Sequence, residues 1–359
     1  MKLGIIGLPG SGKTTIFRAL SGKSGLTLPG DESRPGANIA SVEVIDPRVD
    51  RLAAMYRPRK VTRARFDVVD FPYIGRKEGD RQLLTPSELG LIRSIDTLCI
   101  VIRNFRDPLM DSIYGEPRPR HDLDSLYSEI LLSDLLVIEK RLSSIEKTMA
   151  RGKNPDDSRM ERELLIRIKD NLEQGSDIGS LRLQEKEKRL ISGYQFLCLK
   201  PAMVLLNSDE TSFGNNGDLI AEMEKRFKVM ELAGRFEMEL SDLDTKYMNE
   251  LMNDMGLDAS VLDRLTTLAY GVLGYISFFT VGEDEVRAWT IKRGTKALDA
   301  AGVIHSDIAK GFIRAECFSF SDLMAAGSEK ELRGKGLIRL EGKDYTVKDG
   351  DILNIRFNV

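Results

Sequence analysis

Gly7-Leu8-Pro9-Gly10-Ser11-Gly12-Lys13-Thr14 falls at the spacing G-x-x-x-x-G-K-[ST], whose chemistry is the holding of phosphate. Glycines at these places let the backbone curl until its N–H groups converge, and a helix starting at the lysine adds the positive end of its dipole. Pro9, Gly10, Ser11, Gly12, Lys13, Thr14 and Thr15 are the expected phosphate contacts. Lys13 is expected to act catalytically by reaching the β- and γ-phosphates, and Thr14 to offer its hydroxyl to Mg²⁺. A second Mg²⁺ partner should end a neighbouring strand. Asp70, closing Arg65-Phe66-Asp67-Val68-Val69-Asp70, holds that place and would act through a metal-bound water. Asp67 alternates within the strand and reads as structural.

Asn207-Ser208-Asp209-Glu210 follows an apolar run, where P-loop GTPases carry Asn-Lys-x-Asp. In guanine recognition the last aspartate accepts hydrogen bonds from N1–H and the 2-amino group. Adenine has neither donor, and glutamate is one methylene longer, so the substitution favours ATP over GTP. Asn207 and Glu210, with Ala233, are the candidate base contacts. A plain turn after a strand is the alternative.

The elements that must position these residues follow from periodicity. Leu3 to Ile6, a helix over Lys13 to Leu20, Arg65 to Val69 and Thr97 to Ile102 alternate as in an α/β sheet, and Pro201 to Leu206 reads as a further strand of it. Leu131, Leu135, Ile138, Leu142, Ile145 and Met149 recur at heptad spacing. Turn chemistry over 150–158 interrupts the seam before Leu165, Ile168 and Leu172 resume it. This predicts a protruding antiparallel helical hairpin; two ordinary helices packed on the core are the alternative. From Phe278 onward, glycines and short β-type runs predict a separate α+β domain. The expected architecture is an α/β P-loop NTPase domain of Ras-like type, discontinuous over 1–120 and 193–276. A helical hairpin over 121–192 is inserted into it, and an α+β domain over 277–359 closes the chain.

Of 359 residues, 42% are hydrophobic, enough for two or three domains. A net charge of −3 excludes a uniformly basic nucleic-acid surface, so any RNA contact needs a local patch. Lys292, Arg293, Lys296, Lys310 and Arg314 are the candidates, against a merely solvated face. Cys99, Cys198 and Cys317 lack C-x-x-C spacing and read as reduced core thiols of a cytoplasmic protein. No run approaches the roughly 18 apolar residues of a membrane span, so neither membrane nor DNA contact is expected. His305, far in sequence from the loop, reads as a surface or partner-contact residue, and His121 as inert.

Over nearly its whole length the chain resembles the YchF family, the Obg-like ATPases. The resemblance rests on Gly7 to Thr15, Asp46-Pro47-Arg48, Asn207 to Glu210, and above all the C-terminal runs Val286 to Ile291, Ala300 to His305, Lys310 to Glu316 and Leu340 to Val359. It implies that 277–359 is a TGS module, a ubiquitin-like β-grasp fold, and that the insertion is a coiled coil. It also implies a slow ATPase that binds GTP to varying degree and acts with the ribosome or another RNA-containing partner. Three residues after Asp70 a Ras-type GTPase carries glycine and then a water-orienting glutamine; here those places hold Tyr73 and Ile74. A hydrophobic residue at the Ile74 place is characteristic of the family, whereas Tyr73 replaces its usual glycine. Gly10-Ser11 replaces the family's Asn-Val, and for its switch threonine only Thr27 and Ser33 are weak counterparts. The expected function is a nucleotide-dependent regulatory ATPase or GTPase favouring ATP. A nucleotide-binding adaptor without significant hydrolysis and a small-molecule kinase are the alternatives.

Overall fold

The computed structural model describes residues 1–21, 27–28, 38–71, 86–150, 156–241, 243 and 245–358. Two compact units divide the chain, one of 1–41 with 67–261 and one of 42–66 with 262–359.

The first unit is built on a sheet that is seven-stranded among the described residues. Its strands are β1 (Lys2–Ile6), β2 (Thr27–Leu28), β3 (Asn38–Glu43), β5 (Arg65–Asp70), β6 (Thr97–Asn104), β7 (Ala202–Ser208) and β8 (Lys228–Leu232), in the order β2-β3-β5-β1-β6-β7-β8. β5, β1, β6, β7 and β8 run parallel. Strands covered on both faces read as unbroken apolar runs, and β6 and β7 are buried along almost their whole length. Around the sheet lie α1 (Lys13–Ser21), α3 (Pro86–Arg93), α4 (Pro108–Tyr114), α5 (Pro119–Ala150), α6 (Asp156–Glu173), α7 (Glu185–Ile191), α8 (Gly217–Met223), α9 (Gly234–Leu240) and α10 (Thr245–Asp254).

Along α5 the positions of the expected heptad seam are buried or half-buried. Leu123, Leu126, Tyr127, Ile130, Ile138 and Ile145 of α5 share one core with Ile100 and Ile102 of β6 and with Leu165, Ile168 and Leu172 of α6. Arg141 bonds Glu161 in two places, at 2.9 and 2.8 Å, and Lys169 reaches Glu139 at 3.0 Å. The expected turn lies largely in residues 151–155, outside the described residues. Buried Asp134 accepts the N–H groups of Leu197 (3.0 Å) and Cys198 (2.9 Å), pinning the chain where it returns toward β7.

The second unit carries a sheet of order β12-β11-β13-β9-β10-β4. Its strands are β4 (Lys60–Thr62), β9 (Tyr275–Thr280), β10 (Glu285–Lys292), β11 (Phe312–Ser319), β12 (Arg339–Glu341) and β13 (Asp351–Phe357). Its helices are α2 (Pro47–Tyr56), α11 (Val261–Leu273), α12 (Ala297–Ile304), α13 (Ser306–Lys310), α14 (Phe320–Ala326) and α15 (Glu329–Gly334). Ala297, Ala300 and Ala301 of α12 pack on Phe278, Ile291, Ala315 and Cys317.

This division differs from the expected boundaries. Residues 42–66 leave the 1–120 segment and 262–276 leave the 193–276 segment, both joining the C-terminal unit. The reason is long-range pairing: β4 runs parallel to β10. Arg48 of α2, held by Asp46 at 2.8 Å, also pairs with Asp349 at 2.8 Å and lies 5.0 Å from the Phe279 ring. A contact spanning 301 residues leaves no trace in local periodicity.

Candidate functional site

The phosphate loop joins β1 to α1 at the carboxyl end of the parallel strands, where open α/β sheets bind ligands. Close approach dictates its glycines. A Cβ on Gly7 would stand 2.5 Å from the Val101 carbonyl oxygen, and one on Gly12 (φ +90°) would stand 2.2 Å from Asn207 Nδ2. Gly10 has φ +75°, a conformation that a side chain disfavours.

Lys13 is buried and folds its ammonium onto the loop itself, donating to the Gly7 carbonyl at 2.8 Å and the Leu8 carbonyl at 3.1 Å. Burial lowers its pKa to about 8, with the charge of Asp70 opposing. Thr14 donates its hydroxyl to Asp70 Oδ2 at 3.2 Å. Asp70 is the last residue of β5, opposite Ile5 of β1, and is fully buried. Its Oδ1 has no hydrogen-bond partner among the described residues. Burial raises its pKa, against the Thr14 hydroxyl, the Asn38 side chain and the Lys13 charge.

A buried carboxylate oxygen without a partner costs about 1–3 kcal/mol or more. A hard divalent cation beside Thr14 would relieve that cost, and hydroxyl and carboxylate oxygens are the ligands such a cation takes. The pair therefore fits Mg²⁺. No group of three or more His, Cys, Asp or Glu residues among those described could hold a metal. The remaining ligands would be phosphate oxygens and water.

The expected base motif is put together differently. Asn207 and Ser208 lie inside β7 rather than after it. Asn207 is buried; its Nδ2 donates to the Ser11 carbonyl at 2.9 Å, and its Oδ1 accepts the Gly234 N–H at 2.9 Å. It braces the phosphate loop against the start of α9, where Ala233 is buried as the residue before the helix. Ser208 donates to Glu231 at 2.6 Å and accepts from Asn104 at 3.0 Å. Asp209 accepts the Thr211 hydroxyl at 2.6 Å and the Ser212 N–H at 2.8 Å; these bonds, led by Thr211, pull its pKa down to about 2. Asp209 thus builds the turn.

Glu210 is exposed and, with Gly12, Thr15 and Ala233, borders a cavity of about 630 Å³. Phe105, Arg106 and Phe236 complete much of its wall. Sequence reasoning missed these three. Phe105 and Arg106 directly follow the buried run of β6, and that position at the end of a central parallel strand was the available signal. Ile74, Tyr73 and Ser33 lie outside the described residues, and Thr27 is described only as the start of the edge strand β2.

Comparison with known proteins covers both units. A family model named YchF-GTPase_C and described as "Protein of unknown function (DUF933)" matches residues 275–358. The "Ribosome-binding ATPase YchF" of Bacillus subtilis (strain 168) is 33% identical over 365 residues, 99% of each chain. The protein of the same name from Pasteurella multocida (strain Pm70) is 35% identical over 367 residues, covering 100% of this chain and 99% of its own. The solved YchF GTPase of Schizosaccharomyces pombe superposes with a TM-score of 0.84 at 29% identity, covering 99% of this chain and 97% of its own. A GTP binding protein from Pyrococcus horikoshii OT3 shares the fold, with a TM-score of 0.59 at 16% identity over 100% of both chains. Identity of about a third with such relatives from end to end, across the phosphate-loop unit and the C-terminal unit alike, makes this chain a member of the YchF family.

Proposed function

We propose that this chain is a nucleotide-dependent regulatory ATPase that favours ATP, hydrolyses it slowly and acts with the ribosome. The observation that carries the reading is the Thr14–Asp70 pair, with its buried, unpartnered carboxylate oxygen, at the foot of a complete phosphate loop. The loop N–H groups and Lys13 bind the phosphates, Lys13 exchanging its two carbonyl contacts for phosphate oxygens. Thr14 and Asp70 would be the residues that hold Mg²⁺. When bound, Mg²⁺ neutralises charge on the β- and γ-phosphates. Asn207 acts at one remove, fixing the loop that makes these contacts. Glu210 is the acidic group left to discriminate the base, since Asp209 is engaged in its turn and Glu239 pairs with Arg235 at 3.3 Å.

The α5–α6 pair is the coiled-coil arm of the family and the C-terminal sheet its TGS module. A ribosomal partner follows from what the bacterial relatives' names state of those proteins. Charge in the C-terminal unit narrows where RNA contact could lie. Lys296 pairs with Asp344 at 2.6 Å and Lys310 with Asp307 at 3.2 Å, leaving Lys292, Arg293 and Arg314 as the better candidates of the five. Among the described residues no helix is long and apolar enough to cross a membrane. Competitive binding of ATP and GTP with Mg²⁺, repeated with ribosomes, tests the proposal. Binding of neither nucleotide below millimolar concentration would refute it.

A further inference from the structure

A second cavity, of about 320 Å³, opens beside the first half of the phosphate loop. Leu8, Pro9 and Ser11 form one wall, and the corner between α4 and α5 forms another, with Arg118 and His121. Ser11 is buried here, and its hydroxyl oxygen has no hydrogen-bond partner among the described residues. The Lys13 ammonium rests on the carbonyls of Gly7 and Leu8. Because that lysine is the group that reaches the β- and γ-phosphates, the first half of the loop marks the terminal-phosphate end. The base cavity borders the other end, at Gly12 and Thr15.

The carboxylates around this second cavity are already engaged. Asp111 takes Arg103 at 2.8 Å and Arg106 at 2.9 Å, Glu116 takes the other arm of Arg106 at 2.8 Å, and Asp122 stands 3.5 Å from His121. Arg118 makes no ion pair within 4 Å of a described residue; Glu116, held first by Arg106, feels its charge only as the weakest of the influences that lower that carboxyl's pKa. Its backbone is stiff. Pro119, the first residue of α5, follows Arg118 and restricts it to extended conformations, while Pro117, the residue before it, has its own φ fixed. Its carbonyl accepts the Asp122 N–H at 2.8 Å, which closes the first turn of α5.

We propose that Arg118 is a catalytic cation acting in cis, its guanidinium set against the terminal phosphate oxygens of a nucleotide held in the loop. The proposal rests on the nucleotide-binding reading above. In the step it serves, a water oxygen bonds to the γ-phosphorus as the bond to the β-phosphate oxygen breaks. The bond pair leaves on ADP, and a water proton passes to solvent. Arg118 donates hydrogen bonds and no proton, stabilising charge as it spreads over the phosphoryl oxygens. A cation already mounted on a proline-bracketed corner needs little reorganisation during the reaction, and arginines supplied in this role raise hydrolysis by about 10³–10⁵.

The test is calorimetric binding of ADP with aluminium fluoride, a mimic of the transferring phosphoryl group, to the full chain with Mg²⁺. Arg118→Ala and Arg118→Gln should bind ADP alone within twofold of the parent and the fluoride complex about 10³-fold more weakly, with an equal fall in single-turnover ATP hydrolysis. Arg118→Lys should recover part of both, and Arg120→Ala neither gains nor loses, since Arg120 pairs with Glu222 at 2.6 Å. If both Arg118 variants bind the fluoride complex and hydrolyse ATP within threefold of the parent while still binding ADP, the role of Arg118 is overturned and the nucleotide reading stands. If the parent chain itself binds neither ATP nor ADP, both are overturned.

Discussion

The phosphate end and the base end of the candidate site use polar residues in opposite ways. At the phosphate end groups are held in reserve: Asp70 keeps an unpartnered oxygen, and Lys13 rests on carbonyls it can leave. At the base end the motif residues are committed to structure, Asn207 to two loops and Asp209 to its own turn. The difference teaches that a motif residue's type does not say whether its hydrogen-bonding capacity is free for a ligand.

The largest effect expected from breaking this contrast is at Lys13. Lys13→Ala removes the reserve cation and should weaken ATP binding about 100-fold or more, as charge-assisted contacts to phosphate are lost. Fluorescent-nucleotide titration would show it. Asn207→Ala attacks the committed end. It leaves the Ser11 carbonyl and Gly234 N–H without their partner and should destabilise by about 2–4 kcal/mol. Chemical denaturation reads the loss, and ATP and GTP affinities should fall together; a selective loss of one would mean that Asn207 reads the base directly.

Dependence on pH sharpens the Lys13 side. Its amine titrates at about 8, below the usual lysine value, because burial disfavours its charge. Between pH 8 and the unfolded value the unfolded chain binds more protons, so folding stability rises with pH there. A bound phosphate favours the charged form, so nucleotide binding takes up a proton above pH 8. Affinity should then fall by up to about tenfold per pH unit, and Lys13→Ala should flatten the profile. The smallest effect is expected at Glu210. Glu210→Asp should move the ATP-to-GTP affinity ratio toward GTP by about tenfold or less, since one exposed carboxylate is repositioned and no brace is broken. Competition binding measures it, and an unchanged ratio would remove Glu210 from base selection.

The phosphate loop was legible because it is local. Eight consecutive residues, bounded by an apolar run and a helix, specify backbone curvature almost without outside help, and Asp70 could be placed because it ends the neighbouring run. Strand β8 escaped because its partly buried alternation is weak, and β4 because a three-residue edge strand offers too little pattern to see. Asn207 was found, but its bracing bonds were not. Its partners are 196 and 27 residues away.

By itself the sequence determined the curl of Gly7 to Thr14, the seam of α5 and α6, and the membership that its C-terminal runs announced. These depend on side-chain type at short spacing, which the linear order displays directly. Only the tertiary structure decided that 42–66 belongs with the C-terminal sheet, that Asn207 is a brace, and that Arg118 shares a cavity with Pro9 and Ser11. Each of these depends on which distant carboxylate or backbone group reaches a side chain first, a competition settled by packing rather than by spacing along the chain.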